Sequence, residues 1–283
     1  MFTDQDTMYH YCSLNSFFNI LETRTMWLSH IQTTNDKLDD RMFTLALRQV
    51  LNKYRQNNHP ATSMLERIER SYSNKVDFPY ISCFTHSKDL LSQWRAYGDD
   101  GRGVCIGFDL SKFSFIDLLN NYHGPCKPLV LVDEISYHNN DEELIEKFLL
   151  VSELLRKNQG IEDEDQRINI ILNGLERMSV FTKSEAFREE QEIRMVYFPN
   201  YSDLLSNLTK QPIQHDGLSI HFRIRDKQVV SYFEYPLPEE SICEVILGPK
   251  SEVDYKQLTL FLAQYAPNVR RNNKIEYSKI SYR

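Results

Sequence analysis

Four short apolar runs, Gln191 to Phe198, Leu218 to Ile224, Val229 to Tyr235 and Ile242 to Leu247, follow one another with few helices between them, and this constrains the fold more than any other feature. Without helical crossovers they are expected to pair largely antiparallel. A turn around Asp226 and Lys227 joins two of them as a hairpin. Upstream, Met8 to Cys12, a helix from its cap Ser13 to Leu21, and Met26 to Ser29 make a compact β-α-β start. Pro79 to Phe84, Gly103 to Phe108 and Pro128 to Tyr137 read as further strands, with a short helix from Leu90 to Tyr97.

Helical spacing governs two other stretches. Met42, Leu45, Ala46, Val50 and Tyr54 recur on one face, and a second helix runs from Met64 to Tyr72. Asp141 to Leu155 and Asp165 to Met178 repeat the pattern, separated by Asn158-Gln-Gly160 and the acidic Glu162 to Asp165, which reads as a solvated loop. The expected class is α+β: one domain over residues 1–283 with a mostly antiparallel core and helical insertions at about 37–74 and 140–180.

Composition narrows the function. No apolar run approaches the ~20 residues that cross a bilayer, and the acidic opening MFTDQDTMYH lacks the basic patch of a secretory signal, so a cytoplasmic protein without a membrane partner is expected. Five scattered cysteines, none spaced Cys-x-x-Cys, fit reduced thiols; His123-x-x-Cys126 has no second ligand pair, so no metal site is expected. A net charge of −7 opposes general coating of nucleic acid. With nine glycines and neither a P-loop nor a G-x-G-x-x-G turn, those phosphate cradles are disfavoured.

Four clusters combine polar and aromatic groups. In Tyr9-His10-Tyr11, strand alternation sends His10 to the face opposite its tyrosine neighbours. Asn35-Asp36, after the second strand, suits either helix capping or a site. Ser82 to Phe84 precedes Trp94 and Tyr97, which are spaced i, i+3 and suit either core packing or a ligand. In a strand starting near Glu190, the residues Glu190, Glu192 and Arg194 share one face; they form either a solvated edge or paired carboxylates able to serve as base or cation stabiliser.

Together with Trp27-Leu28-Ser29, Gly103-Val-Cys-Ile-Gly-Phe-Asp109 and Ile246-Leu-Gly-Pro249, these motifs resemble a widespread bacterial domain-of-unknown-function family, with Ile193 where that family usually carries tryptophan. The order of elements is also distantly similar to ADP-ribosyltransferases, especially DarT-like toxins that modify nucleic acid. That second resemblance implies a split β core and a toxin or anti-phage effector that uses NAD as substrate. It implies Glu192 stabilising the oxocarbenium-like ribose and Glu190 orienting the acceptor. Tyr9 and His10 would bind NAD, with His10 on the nicotinamide ribose and Trp94 or Tyr97 stacked near the nicotinamide. Ser29, Asn35, Asp36 and Arg41 would wrap the dinucleotide, and Ser82 would line the cleft. Glu192→Gln is then expected to leave the fold intact and abolish transfer.

Lys183, Arg188, Arg194, Arg223, Arg225 and Lys227 are candidates for an RNA or DNA acceptor track, and an antitoxin is an implied partner. Two alternatives stay open. One is a metal-dependent nuclease using Glu190, Glu192 and Asp109, and the other is a non-catalytic nucleotide-binding module.

Overall fold

The computed structural model of the chain describes residues 7–33, 37–74, 78–113, 130–159, 163–200, 204, 214–225 and 227–282. In chain order the elements are β1 (Thr7–Cys12), α1 (Leu14–Thr23), β2 (Thr25–His30), α2 (Lys37–Gln56), α3 (Thr62–Ser73), β3 (Tyr80–Thr85), α4 (Leu91–Ala96) and β4 (Val104–Asp109). There follow β5 (Val130–Glu134), β6 (Ser136–His138), α5 (Asp141–Gln159), α6 (Glu164–Val180), β7 (Thr182–Ser184), β8 (Glu192–Tyr197) and β9 (Gln214–His215). The remainder is β10 (Leu218–Arg225), β11 (Gln228–Pro236), β12 (Ile242–Leu247), α7 (Tyr255–Tyr265), α8 (Pro267–Arg271) and β13 (Ile275–Tyr277). No helix among the described residues is long and apolar enough to cross a membrane.

The sequence suggested one domain with two insertions; the chain divides into two compact units. One comprises Met1–Ser29, Tyr80–Glu134 and Glu189–Arg283, and the other His30–Pro79 and Ile135–Arg188. The two helical stretches make up most of the second unit, where Phe43, Leu47, Val50, Leu65, Ile68, Ile145, Ile171 and Leu175 share one apolar core. The acidic run before α6 is not a loop throughout. Asp163 caps the helix by accepting from the Gln166 amide, while Glu164 and Asp165 occupy its first turn, where the helix dipole favours anions.

Among the described residues of the first unit, eleven strands form one sheet in the order β13-β12-β4-β1-β3-β2-β11-β10-β9, with β8 and then β5 attached to β3. The ladders of β1 with β3 and β4, β3 with β8, β5 with β8, β11 with β2 and β10, and β12 with β4 are antiparallel, while β12 and β13 run parallel. The α+β class and the mostly antiparallel core follow the sequence expectation.

The sheet is split at β3. One of its edges pairs with β8 from Tyr80↔Tyr197 to Thr85↔Glu192, whereas the other is shared between β1 and β2. β1 meets β3 at Tyr9↔Thr85, while pairing along its whole length with β4. Gly107 faces Tyr9 in that ladder, and a Cβ there would lie 3.1 Å from both the tyrosine ring and the Glu244 Cβ, so the glycine lets the ring lie across the strand.

One face of the sheet carries Met8, Phe84, Val104, Ile106, Phe108, Ile193, Met195, Phe233 and Val245, packed with Phe17 and Leu21 of α1, Leu258 and Leu262 of α7, and Val269 of α8. Each such side chain, fully buried, contributes about 1.5–3 kcal/mol. The residues alternating with these in the strands point to the other face, and the candidate side chains divide between the two.

Candidate functional site

Gln191 adopts φ 44°, a left-handed conformation that breaks the extended chain, so β8 begins at Glu192 and Glu190 closes a 3₁₀ turn over Glu185–Glu190. The expected row of three charges on one strand face therefore contains only Glu192 and Arg194. Those two form a bidentate pair, with Arg194 Nε donating to Glu192 Oε1 at 2.6 Å and Nη2 to Oε2 at 3.4 Å. Glu192 is 5% exposed and Arg194 0%. A carboxylate sealed against a guanidinium has its charge matched within the protein, which is poor provision for a second cation on a substrate.

His10 occupies the split. Its Nδ1 lies 2.9 Å from the Cys83 carbonyl, on a stretch of β3 that β1 leaves uncovered, and its ring rests 5.5 Å from Phe84. Burial pushes its pKa below the ordinary range, outweighing the opposing pull of the Cys83 carbonyl. A neutral ring that donates from Nδ1 keeps Nε2 as an acceptor. Tyr9, Thr85 and Glu192 lie in register across β1, β3 and β8 and so share a face, while alternation sends His10 to the other. Two strand spacings separate β1 from β8, roughly 10 Å. The imidazole and the late carboxylate thus do not face one pocket, which corrects the expectation that both grip one ribose.

The other candidates are placed as follows. Tyr9 donates its hydroxyl to Glu244 at 3.1 Å, and burial together with that carboxylate drives its pKa up. Trp94 is fully buried, with its indole N–H on Asp89 at 2.7 Å and its ring edge against Tyr11 at 4.7 Å, so no face remains for a nicotinamide. Because α4 ends at Ala96, Tyr97 lies outside the helix and is 39% exposed. Ser82 is buried on the core face with Phe84 and Met195. Asn35, Asp36 and the side chain of Arg41 lie outside the described residues, as do His123 and Cys126. Asp109 accepts from the amide and hydroxyl of Ser111. Among the described residues, no three His, Cys, Asp or Glu side chains are grouped to hold a metal ion.

The basic candidates also separate. Lys183 and Arg188 belong to the helical unit, Lys183 buried and Arg188 paired with Glu185. Arg194 is buried against Glu192. Arg223, Arg225 and Lys227 remain together on the β10–β11 hairpin.

That hairpin belongs to a group the sequence did not assemble. Registers Ser29↔Tyr232 and Tyr232↔His221 put Trp27, Ser29, Tyr232, His221, Arg223 and Arg225 on one face of β2, β11 and β10. Tyr232, 8% exposed, is the floor: Trp27 packs on it at 4.4 Å and His221 stacks on it at 5.5 Å. Arg223 reaches across β11, its guanidinium 5.0 Å from the Trp27 ring and 5.7 Å from Tyr232, and donates from Nη2 to Ser29 Oγ at 3.2 Å. Its Nε is buried and meets no acceptor among the described residues. Desolvation first, then the neighbouring Arg225, pull its pKa down. The available signal was the period of two in His221-x-Arg223-x-Arg225, which sets three basic side chains on one strand face.

Residues 93–195 match the model of a family described as protein of unknown function (DUF2971). The matched segment contains Trp94, Tyr97, the Gly103 to Asp109 strand and the Glu190 to Arg194 motif, in keeping with the resemblance to a domain-of-unknown-function family. No curated protein and no solved structure matches the chain.

Proposed function

We propose that the protein is a nucleotide-binding module whose ligand lies on the β2–β11–β10 face, with its base against Trp27 and a phosphate on Arg223. The observation that carries this is the placement of one guanidinium. Arg223 lies 5.0 and 5.7 Å from two aromatic rings, with a buried Nε–H that meets no acceptor among the described residues. A flat guanidinium presents its N–H groups at the edge, the geometry that takes phosphate oxygens two at a time. Leaving a buried donor unpaired costs about 1–3 kcal/mol, which an incoming phosphate oxygen would recover.

Titration with ADP and with NAD, followed by tryptophan emission, tests this. Trp94 is buried, so quenching reports Trp27 and disappears in Trp27→Phe. Arg223→Ala is expected to weaken binding about tenfold or more, from the loss of a charge-assisted contact. Unchanged emission up to millimolar nucleotide overturns the proposal.

A second reading, ADP-ribosyl transfer from NAD, is favoured by the split sheet with His10 in the gap and by the resemblance to DarT-like enzymes. Its test is nicotinamide release on incubation with NAD. It requires a carboxylate other than Glu192 in its present pairing, so release that persists in Glu192→Gln is the outcome consistent with this geometry.

A further inference from the structure

We infer that the ligand of this face is a single-stranded nucleic acid, not a free mononucleotide; this rests on the nucleotide-binding proposal above and extends it. Mononucleotides are usually held in concave pockets that enclose most of their surface. On the β10–β11 hairpin, by contrast, exposed Arg225 and Lys227 lie beyond the Trp27, Tyr232 and Arg223 group. A site extended in this way gains affinity from the length of its ligand.

Basic side chains continue beyond this group. His221, Arg223 and Arg225 follow at every second residue of β10, a repeat of roughly 6.8 Å, and Lys227 lies at the exposed turn. Glu234 lies on the same face, 3.7 Å from His221, so the face is basic without being uniformly so. This local excess stands within a chain of net charge −7. Trp27 and His221, both partly exposed, supply ring faces beside the cations, and aromatic stacking next to a basic track is how sequence-tolerant proteins hold unpaired bases. A duplex hides its base faces and cannot use the rings.

The experiment is fluorescence anisotropy of the full chain with a labelled 12-nucleotide oligo(dT), the matching oligo(U), a 12-base-pair duplex, and ADP as competitor. Expected is binding of at least one single strand, tighter than the duplex and than ADP, and weakening as salt rises. Trp27→Ala should weaken it roughly fivefold to a hundredfold, the range for losing one stacked base. Lys227→Ala, a change confined to an exposed side chain at the turn, should reduce the salt slope and leave ADP affinity unchanged. ADP bound as tightly as the oligomers, or duplex preferred over single strand, overturns the inference while the nucleotide proposal stands. Absence of binding to ADP and to every oligomer overturns both.

Discussion

Replacing Glu192 by glutamine separates a structural carboxylate from a catalytic one. The wild-type pair is 5% and 0% exposed and joined by contacts of 2.6 and 3.4 Å, so the neutral side chain removes a carboxylate charge that a buried guanidinium is bonded to. Breaking a buried pair from one side costs about 3–5 kcal/mol; glutamine keeps an amide oxygen that can still accept from Arg194, which puts the expectation near the lower end, about 3 kcal/mol. For a unit of this size each kcal/mol moves Tm by roughly 2–4 °C, so a fall of about 6–12 °C follows. Urea unfolding monitored by tryptophan emission reads the right part of the molecule, because Trp27 and Trp94 both belong to the sheet unit. The midpoint should drop while the slope stays constant. Adding Arg194→Met should restore much of the loss, since an apolar replacement removes the buried charge that Glu192 offsets. A Glu192→Gln protein within about 0.5 kcal/mol of wild type would refute this reasoning and restore the expectation, drawn from the sequence alone, that this change spares the fold.

Three further outcomes follow from particular contacts. Asp89 accepts from the Trp94 indole at 2.7 Å, the Ser278 hydroxyl at 2.7 Å and the Lys279 amide at 2.8 Å, so Asp89→Ala should destabilise by about 2–4 kcal/mol, shift tryptophan emission to the red and speed proteolysis of the C-terminal segment. Unchanged proteolysis would show that the segment is held by other means. At Gly103 a Cβ would lie 2.1 Å from the Cys12 carbonyl and 2.8 Å from that of Gly98, so Gly103→Ala should cost several kcal/mol and give little soluble protein; a well-folded variant refutes the close approach. For His10, burial lowers the folded pKa below the ordinary 6.5, so in acid the unfolded chain binds a proton that the folded chain refuses. Its stability contribution is therefore constant above about pH 6.5 and declines as pH falls below it. His10→Asn should flatten that limb of the stability curve, and an equal slope in both proteins counts against the assignment.

The strands were legible because their alternation and apolar runs are local: β3, β4, β8, β10, β11 and β12 lie within two residues of where the sequence put them. What one sequence does not carry is register between distant segments. A single left-handed residue, Gln191, removed Glu190 from the strand, and a single ladder contact, Tyr9↔Thr85, decided that His10 and Glu192 face apart. Trp94 was ambiguous between core and ligand, and the deciding partners, Asp89 and Tyr11, come from different elements. The Trp27, Tyr232 and Arg223 group joins residues about 200 positions apart, so periodicity gave its cationic strand but not the rings beneath it.

The interleaving of the two units sets an order of events during synthesis. The first half of the helical unit, residues 30–79, leaves the ribosome before residues 80–134 of the sheet unit have been made. At 5–20 residues per second it waits roughly 3–10 s for its complement at 135–188. Meanwhile β4 has emerged without β12, its neighbour on one side, so an unpaired edge persists until residue 247. Newly made chains of this protein should therefore depend on a holding chaperone far more than their final stability suggests.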